Sequence, residues 1–132
     1  MTIESVGSRC VLTWPRADLG IVQQHDTNRV TEDGAEAIAL AVAHRTRALR
    51  VVRRMQREEH ADWLLEYHDN GARRLVAFEV SGIDRGGIGG RLGEKLAQVA
   101  KSTDVDQRWA GVVGFQQPEA ALRSVEVRKH GR

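Results

Sequence analysis

Residues 61–81 read ADWLLEYHDNGARRLVAFEVS, and this stretch decides the fold. It holds two runs rich in strand-forming residues, Ala61–Tyr67 and Arg74–Ser81, on either side of Asn70-Gly71. An Asn-Gly dipeptide favours the two-residue turn of a tight β-hairpin, because both of its residues tolerate a positive φ. A turn at this dipeptide predicts three apolar cross-strand pairs: Trp63 with Phe78, Leu64 with Ala77, and Leu65 with Val76.

The same register sets two carboxylates against each other. Continued one residue outward, it pairs Asp62 with Glu79. Beyond them His60 faces Ser81, and side-chain alternation puts all four residues on one face. Directly opposed like charges destabilise a hairpin, so a bound cation such as Mg²⁺, a basic neighbour or a raised pKa is required. Two alternatives need no ligand: an exposed hairpin end where the acids diverge, or a pairing shifted by one residue, which separates them onto opposite faces.

The segments around the hairpin extend this core. The hydroxyl of Thr31 can cap a helix whose alanine-rich, almost wholly apolar middle carries one charge, Glu36. Trp109–Phe115 is a short apolar run after a second helix, which predicts a buried strand parallel to its neighbour. The other predicted elements are a hairpin of Cys10–Trp14 and Ile21–Gln24, helix Thr31–Arg47, strand Leu49–Gln56, helix Ile88–Ser102 and a closing helix Pro118–Val125.

This order predicts an α/β fold with a mixed sheet, arranged as one domain around an α-β-β-β-α-β core. The core spans residues 31–115. A hairpin extension at 1–30 precedes it, and the closing helix and a basic tail at 116–132 follow it. A length of 132 residues with 41% hydrophobic content suits one domain with one core.

The element order and the acids resemble the PD-(D/E)XK nuclease superfamily, and in particular its small Holliday-junction-resolvase-like members. The resemblance covers about Thr31–Phe115 and implies a restriction-endonuclease-like core. In that family an acid on the first helix, an Asp and the Glu of a Glu-x-Lys motif hold a divalent metal ion, and the lysine positions the attacking water. The resemblance therefore implies that Glu36 (or Glu32), Asp62 and Glu79 bind Mg²⁺ or Mn²⁺. It also implies metal-dependent hydrolysis of DNA phosphodiester bonds.

Ser81 departs from the family pattern, because it stands where the lysine of Glu-x-Lys is expected. A serine hydroxyl carries no charge with which to stabilise an attacked phosphate. Two basic residues are candidates to replace the lysine: Lys95, which shares a helical stripe with Arg91 and Gln98, and His60. The alternatives are a solvated Lys95 and a His60 that belongs to a polar loop. The candidate catalytic set is Asp62, Glu79, Ser81, Lys95 and His60.

The charge of the chain is nearly balanced, with 20 Lys+Arg against 18 Asp+Glu, which neither requires nor excludes nucleic acid. Six arginines between Arg45 and Arg57 predict either a phosphate-tracking surface or a solvated helix end beside a charge-protected edge strand. One cysteine, Cys10, excludes an intrachain disulfide and fits a reducing compartment. Without a signal segment or an apolar span, we expect a cytoplasmic protein with no membrane partner. The small size is compatible with a symmetric homodimer.

Three functions compete. The first is a metal-dependent DNA nuclease, which the three acids in matching positions favour. The second is a catalytically inactive nuclease-like fold that binds nucleic acid or protein, which Ser81 favours. The third is a regulatory or defence-associated partner of a larger nuclease. The first function predicts Glu36, Asp62 and Glu79 around one ion in an open cleft, roughly 2.0–2.1 Å from each bound oxygen for Mg²⁺, and a Glu36 turned away from the other two acids counts against it.

Overall fold

The computed structural model describes residues 2–5, 8–11 and 27–125. A 3₁₀ turn at Arg57–Glu59 separates the third strand from the fourth. The elements, in chain order, are β1 (Thr2–Ser5), β2 (Ser8–Val11), α1 (Thr27–Arg47), β3 (Arg50–Arg54), β4 (Trp63–Asp69), β5 (Ala72–Ile83), α2 (Gly89–Val99), β6 (Gln107–Gly114) and β7 (Glu119–Ser124).

Five strands form one mixed sheet in the order β3-β4-β5-β6-β7. Neighbouring strands run antiparallel except β5 and β6, which are parallel and are joined through α2. A parallel pair needs such a crossover connection. The predicted mixed sheet of an α/β chain, with a buried parallel strand after the second helix, is confirmed. Neither α1 nor α2, the helices of the described ranges, is long and apolar enough to span a membrane.

The hairpin of β4 and β5 has the predicted register. Asn70 and Gly71 form its turn with φ of +49° and +82°. All three predicted apolar pairs are present in the ladder. The prediction made from the Asn70-Gly71 turn therefore identified correctly which hairpin residues share a face.

Alternation along β5 divides the core into two layers, one on each side of the sheet. Val76, Phe78 and Val80 lie toward α1, which approaches the sheet closely because its buried side chains are small. Ala77 lies on the other face and packs with Val99 of α2. The α1 residues of the first layer are Ala35, Ala39, Val42 and Ala43.

The predicted closing helix, Pro118–Val125, is wrong. Glu119–Ser124 forms β7, which pairs antiparallel with β6 after a turn at 115–118. Ala120 and Leu122 are buried while Arg123 is exposed, which is the period of two expected for a strand. Glutamate, alanine and leucine favour a helix in isolation. Here the edge of β6 offers hydrogen bonds along the whole segment, and this pairing outweighs the local preference.

The amino-terminal hairpin also differs from the prediction. Cys10 lies in a strand, as expected, but its partner is Ile3 of β1. The predicted partner strand, Ile21–Gln24, lies outside the described residues. The strand that contains Cys10 therefore pairs with residues 2–5, which precede it, whereas the prediction paired it with residues that follow it.

Helix α1 ends at Arg47 as predicted but begins at Thr27, four residues before the expected start. Thr31 consequently lies inside the helix. Its hydroxyl donates a hydrogen bond to Asp84 just beyond β5 instead of capping the helix. This bond fixes the first turns of α1 against the end of β5.

Replacing Gly82 with alanine is expected to destabilise the protein by about 1–3 kcal/mol. A Cβ at this position would lie 2.9 Å from the Thr31 carbonyl oxygen and 3.0 Å from the Ala35 Cβ, so α1 and β5 would have to separate. Urea unfolding would measure the loss. The control is Gly89→Ala, where a Cβ meets nothing within 4 Å, and we expect it to be neutral or mildly stabilising. Unchanged stability of the Gly82 variant would contradict the close contact.

Candidate active site

Glu79 and Ser81 follow Ala77 on the face of β5 that α2 covers, so both are buried, at 3% and 2% exposure. A buried carboxylate and a buried hydroxyl both need partners. Helix α2 runs back along the strand and supplies one for each. The Lys95 Nζ lies 3.3 Å from Glu79 Oε1, and Arg91 Nη1 donates to Ser81 Oγ at 2.9 Å.

Asp62 lies just before β4, where the regular ladder ends. Its N–H donates to the Phe78 carbonyl at 3.0 Å, and its carbonyl accepts from the Met55 N–H at 2.9 Å. Its carboxylate Oδ2 accepts a hydrogen bond from the Val80 N–H at 2.8 Å. The carboxylate is thereby anchored to the backbone next to Glu79, so the two acids meet as predicted, although the regular ladder ends at Trp63 and Phe78, one residue short of them.

Burial and proximity raise the pKa of both acids. Burial, together with the negative charge of Asp62, raises the pKa of Glu79 to about 7, and Lys95 opposes the rise. Burial also raises the pKa of Asp62, against the hydrogen bond from Val80. Two carboxyl groups whose pKa values rise because they share a desolvated site are typical of functional sites, although structural networks show the same effect.

One oxygen of the acid pair has no hydrogen bond. Lys95 lies on Glu79 Oε1, whereas Oε2 is buried without a hydrogen-bond donor among the described residues. The neighbouring Asp62 carboxyl offers no such donor when it is charged, and its contact with Glu79 raises the pKa of Glu79. An unsatisfied buried carboxylate oxygen costs free energy unless a proton or a cation satisfies it. The chemistry of this oxygen fits a divalent cation, which takes one or two carboxylates together with water and phosphate oxygens.

The two helical acids differ in their surroundings. Glu36 forms an ion pair with Arg54 at 3.2 Å, and the same guanidinium lies 4.4 Å from the centre of the Trp63 ring. Glu32 is exposed on the preceding turn of α1. Partial desolvation raises its pKa, the charge of Lys95 lowers it, and the charge of Asp62 raises it. In this arrangement, Glu32 is the helical acid without a bidentate arginine.

His60 lies away from Ser81. It is exposed and adopts a left-handed conformation, with φ of +62°, after the 3₁₀ turn. The ladder of β4 and β5 ends at Trp63 and Phe78, so it does not continue to His60 as the sequence prediction assumed. The helical spacing of Lys95 therefore predicted a site contact, whereas the extrapolated strand register of His60 did not.

The contact between Arg91 and Ser81 was missed by the sequence interpretation. Arg91 was placed on the Lys95 stripe, and Ser81 was treated as a missing lysine. Because α2 runs antiparallel to β5, a step of four residues along the helix matches a step of two along the strand, about 6–7 Å in each case. The pairing of Lys95 with Glu79 thus brings Arg91 to Ser81.

Within the described ranges, no three His, Cys, Asp or Glu side chains are grouped closely enough to hold a metal ion. Asp62 and Glu79 form a pair, but Arg54 holds the Glu36 carboxylate, so the predicted grouping of Glu36 with both acids around one ion is not formed. The arrangement therefore provides two acids, one lysine and one arginine at one site. No family model, curated protein or solved structure matches the chain.

Proposed function

We propose that the protein is a metal-dependent nuclease that hydrolyses DNA phosphodiester bonds at the Asp62–Glu79 pair. The observation that carries the proposal is the buried Glu79 carboxylate, with Lys95 on one oxygen and, among residues 2–5, 8–11 and 27–125, no hydrogen-bond donor on the other. Its raised pKa means that the charged pair is poorly compensated by the protein alone. A divalent cation such as Mg²⁺ or Mn²⁺ would complete the compensation.

The order of elements supports the same proposal. Helix α1, the three antiparallel strands β3 to β5, helix α2 and the parallel strand β6 follow one another in the α-β-β-β-α-β order of a restriction-endonuclease-like core. Lys95 supports it further, because it brings an ammonium group to Glu79 from the neighbouring helix. In this proposal Lys95 takes the role of the lysine that the family pattern places at position 81.

The chain contributes positioning and charge to the reaction. Water adds to phosphorus, one P–O bond breaks, and the leaving oxygen takes up a proton. Asp62 and Glu79 would hold the divalent ion, and the ion would supply activation of the water and offset negative charge on the phosphate. Lys95 stabilises the charge that develops on a phosphate oxygen, which is worth most in a site with little water.

Nicking of branched, single-stranded and duplex DNA in Mg²⁺ or Mn²⁺ tests the proposal. We expect wild-type protein to nick at least one substrate, and Asp62→Ala and Glu79→Ala to nick at background level, because each loses a metal-holding carboxylate. Asp69→Asn is the matched control, since Asp69 is an exposed acid at the far end of the hairpin. Activity that survives in both alanine variants would identify a contaminant and contradict the proposal.

A second candidate function is a nuclease-like fold that binds nucleic acid without cutting it. The ion pairs of Arg54 with Glu36 and of Lys95 with Glu79 favour it, because in each pair a basic side chain already compensates the charge of an acid that would otherwise hold a metal ion. In that case the wild-type protein would bind DNA but leave it intact at every metal concentration. The same nicking assay, run beside a binding assay, separates the two functions.

A further inference from the structure

Helix α2 carries a polar stripe along the candidate site. Arg91, Lys95 and Gln98 lie on it at i, i+4 and i+7, and Lys101 follows just beyond the helix. Gln98 Oε1 lies 3.4 Å from the Lys95 Nζ, so the stripe is continuous at its centre. The opposite side of α2 is apolar, with Leu92 and Val99 buried.

A cavity of about 310 Å³ lies at the Arg91 end of this stripe. Its lining includes two basic residues, Arg85 and Arg91, and two acids, Glu32 and Asp84. The hydrogen bond from Arg91 to Ser81 joins this cavity to the acid pair, because Ser81 is two residues from Glu79 on the same face of β5. The guanidinium of Arg91 is therefore held between the cavity and the site.

A larger cavity, of about 680 Å³, lies at the other end of the stripe. The 3₁₀ turn forms one wall with Arg57 and His60, and α2 forms the other wall with Gln98 and Lys101. Both walls connect to the site: the turn leads through Ala61 into Asp62, and Gln98 contacts Lys95. Two exposed acids, Glu58 and Glu94, also line this cavity.

We propose that one strand of nucleic acid runs along α2 on a phosphate track formed by Arg91, Lys95 and Lys101, with consecutive phosphates near these three residues. This inference rests on the proposed function, and it specifies the substrate as an internal segment of a strand rather than a strand end. The site lies between two cavities, so the strand continues on both sides of the phosphate at Lys95. A site for strand ends would be closed on one side.

The basic residues of the track are spaced so that each can contact a separate phosphate. One acid of α2, Glu94, lies between Arg91 and Lys95 in sequence, and its carboxylate is 3.6 Å from Arg91 Nε with 75% of its side chain exposed. Such an exposed ion pair contributes little and opens readily in favour of a phosphate. Arg91 can then offer its planar fork to phosphate oxygens while one nitrogen stays on Ser81. Lys101 supplies a point charge at the other end.

The salt dependence of binding tests the track without requiring catalysis. Fluorescence anisotropy of a labelled single-stranded oligonucleotide would be measured against salt concentration, with Asp62→Asn as the background so that no strand is cut. We expect Arg91→Ala and Lys101→Ala each to reduce the slope of log K against log salt by about 0.7, the value for one lost phosphate contact on a single strand. Arg73→Ala, which removes an equal charge at the hairpin end of β5, is expected to leave the slope unchanged.

Competition by a covalently closed, circular single-stranded oligonucleotide tests whether ends are needed. We expect the circle to displace the labelled strand as well as a linear competitor of equal length and sequence does. A circle that competes at least ten-fold more weakly would overturn the proposal, as would slopes that respond equally to Arg73→Ala and Arg91→Ala.

The two assays also separate this inference from the proposed chemistry. If wild-type protein nicks no DNA while Arg91→Ala and Lys101→Ala lower the slope, the track is supported and the proposed catalysis fails. If wild-type protein nicks DNA and neither substitution alters the slope, the catalysis stands and the track is overturned.

Discussion

Replacing Glu79 with glutamine is expected to raise the free energy of unfolding at pH 8 by about 3 kcal/mol. The glutamate is 3% exposed, and its pKa in the folded protein is about 7, against 4.5 for the free side chain. A shift of this size corresponds to about 3 kcal/mol of unfavourable free energy for the charged form in the folded state. Glutamine has nearly the same shape and carries no charge, so it removes this cost.

The sign of the pH dependence follows from proton binding. Between about pH 4.5 and pH 7 the folded state holds a proton on Glu79 that the unfolded state has released. The stability of the wild-type protein therefore falls as the pH rises through this window, and the full loss is present above it. We expect the Glu79→Gln variant to lack this decline and to match the wild type near pH 4.5.

Urea unfolding at half-unit intervals from pH 4.5 to pH 8.5 would measure the difference. Glu58→Gln is the matched control, because Glu58 is exposed on the 3₁₀ turn and the same substitution there should change stability by less than about 0.5 kcal/mol. A Glu79 variant less stable than the wild type at pH 8 would show that the ion pair with Lys95 outweighs the cost of burial.

The same measurement reports on metal binding. An ion that binds the charged acid pair stabilises only the folded state, by an amount that grows with the ratio of metal concentration to Kd. We expect Mg²⁺ or Mn²⁺ to raise the Tm of the wild type at pH 8, to have little effect at pH 5, where Glu79 is protonated, and to leave Glu79→Gln unchanged. An equal rise in both proteins would place the ion elsewhere.

The central hairpin was predictable because its information is local. Asn70-Gly71 selects a two-residue turn, and the turn alone determines the pairing of the adjacent residues. Trp63 therefore lies opposite Phe78 in the structure as in the prediction. The approach of Lys95 to Glu79 was predictable for a related reason, since helical spacing and the parallel strand β6 together place α2 over that face of β5.

The errors fall where long-range contacts decide the structure. Glu119–Ser124 has the composition of a helix, and only the open edge of β6 makes it a strand. The register at Asp62 departs from the regular ladder because its N–H bonds to Phe78 and its carboxylate bonds to Val80. This departure ends the strand before His60, so the extension of the hairpin register to His60 and Ser81 was wrong.

Glu36 illustrates the limit for the site. A lone acid in an apolar helix requires a partner. From the sequence, that partner can be a metal ion shared with other acids or a basic side chain. The partner is Arg54, eighteen positions away on β3, and the contact exists only because α1 crosses the end of that strand. Periodicity identifies the face of a helix, but it does not identify the residue that meets that face from another element.

Replacing Lys95 with methionine is expected to lower kcat for DNA cleavage by about 10²–10³-fold, the usual cost of removing one group that stabilises transition-state charge. Methionine is unbranched and keeps the apolar stem up to the ε position, so the packing of α2 is preserved. Lys95→Arg retains the charge and should recover part of the activity. Single-turnover cleavage in saturating Mg²⁺ would measure kcat, and thermal unfolding would verify that each variant is folded.

The Lys95 substitution has a second readout that is independent of cleavage. Because the lysine charge lowers the pKa of Glu79, methionine should move the pH-dependent decline in stability to higher pH, and Lys95→Arg should not. A shifted decline with undiminished cleavage would assign Lys95 a structural role and require another cation at the phosphate. A shifted decline with lost cleavage would show that one ammonium group both lowers the pKa of Glu79 and supports the reaction. Lys95 would then perform the role proposed for it, in place of a lysine at position 81.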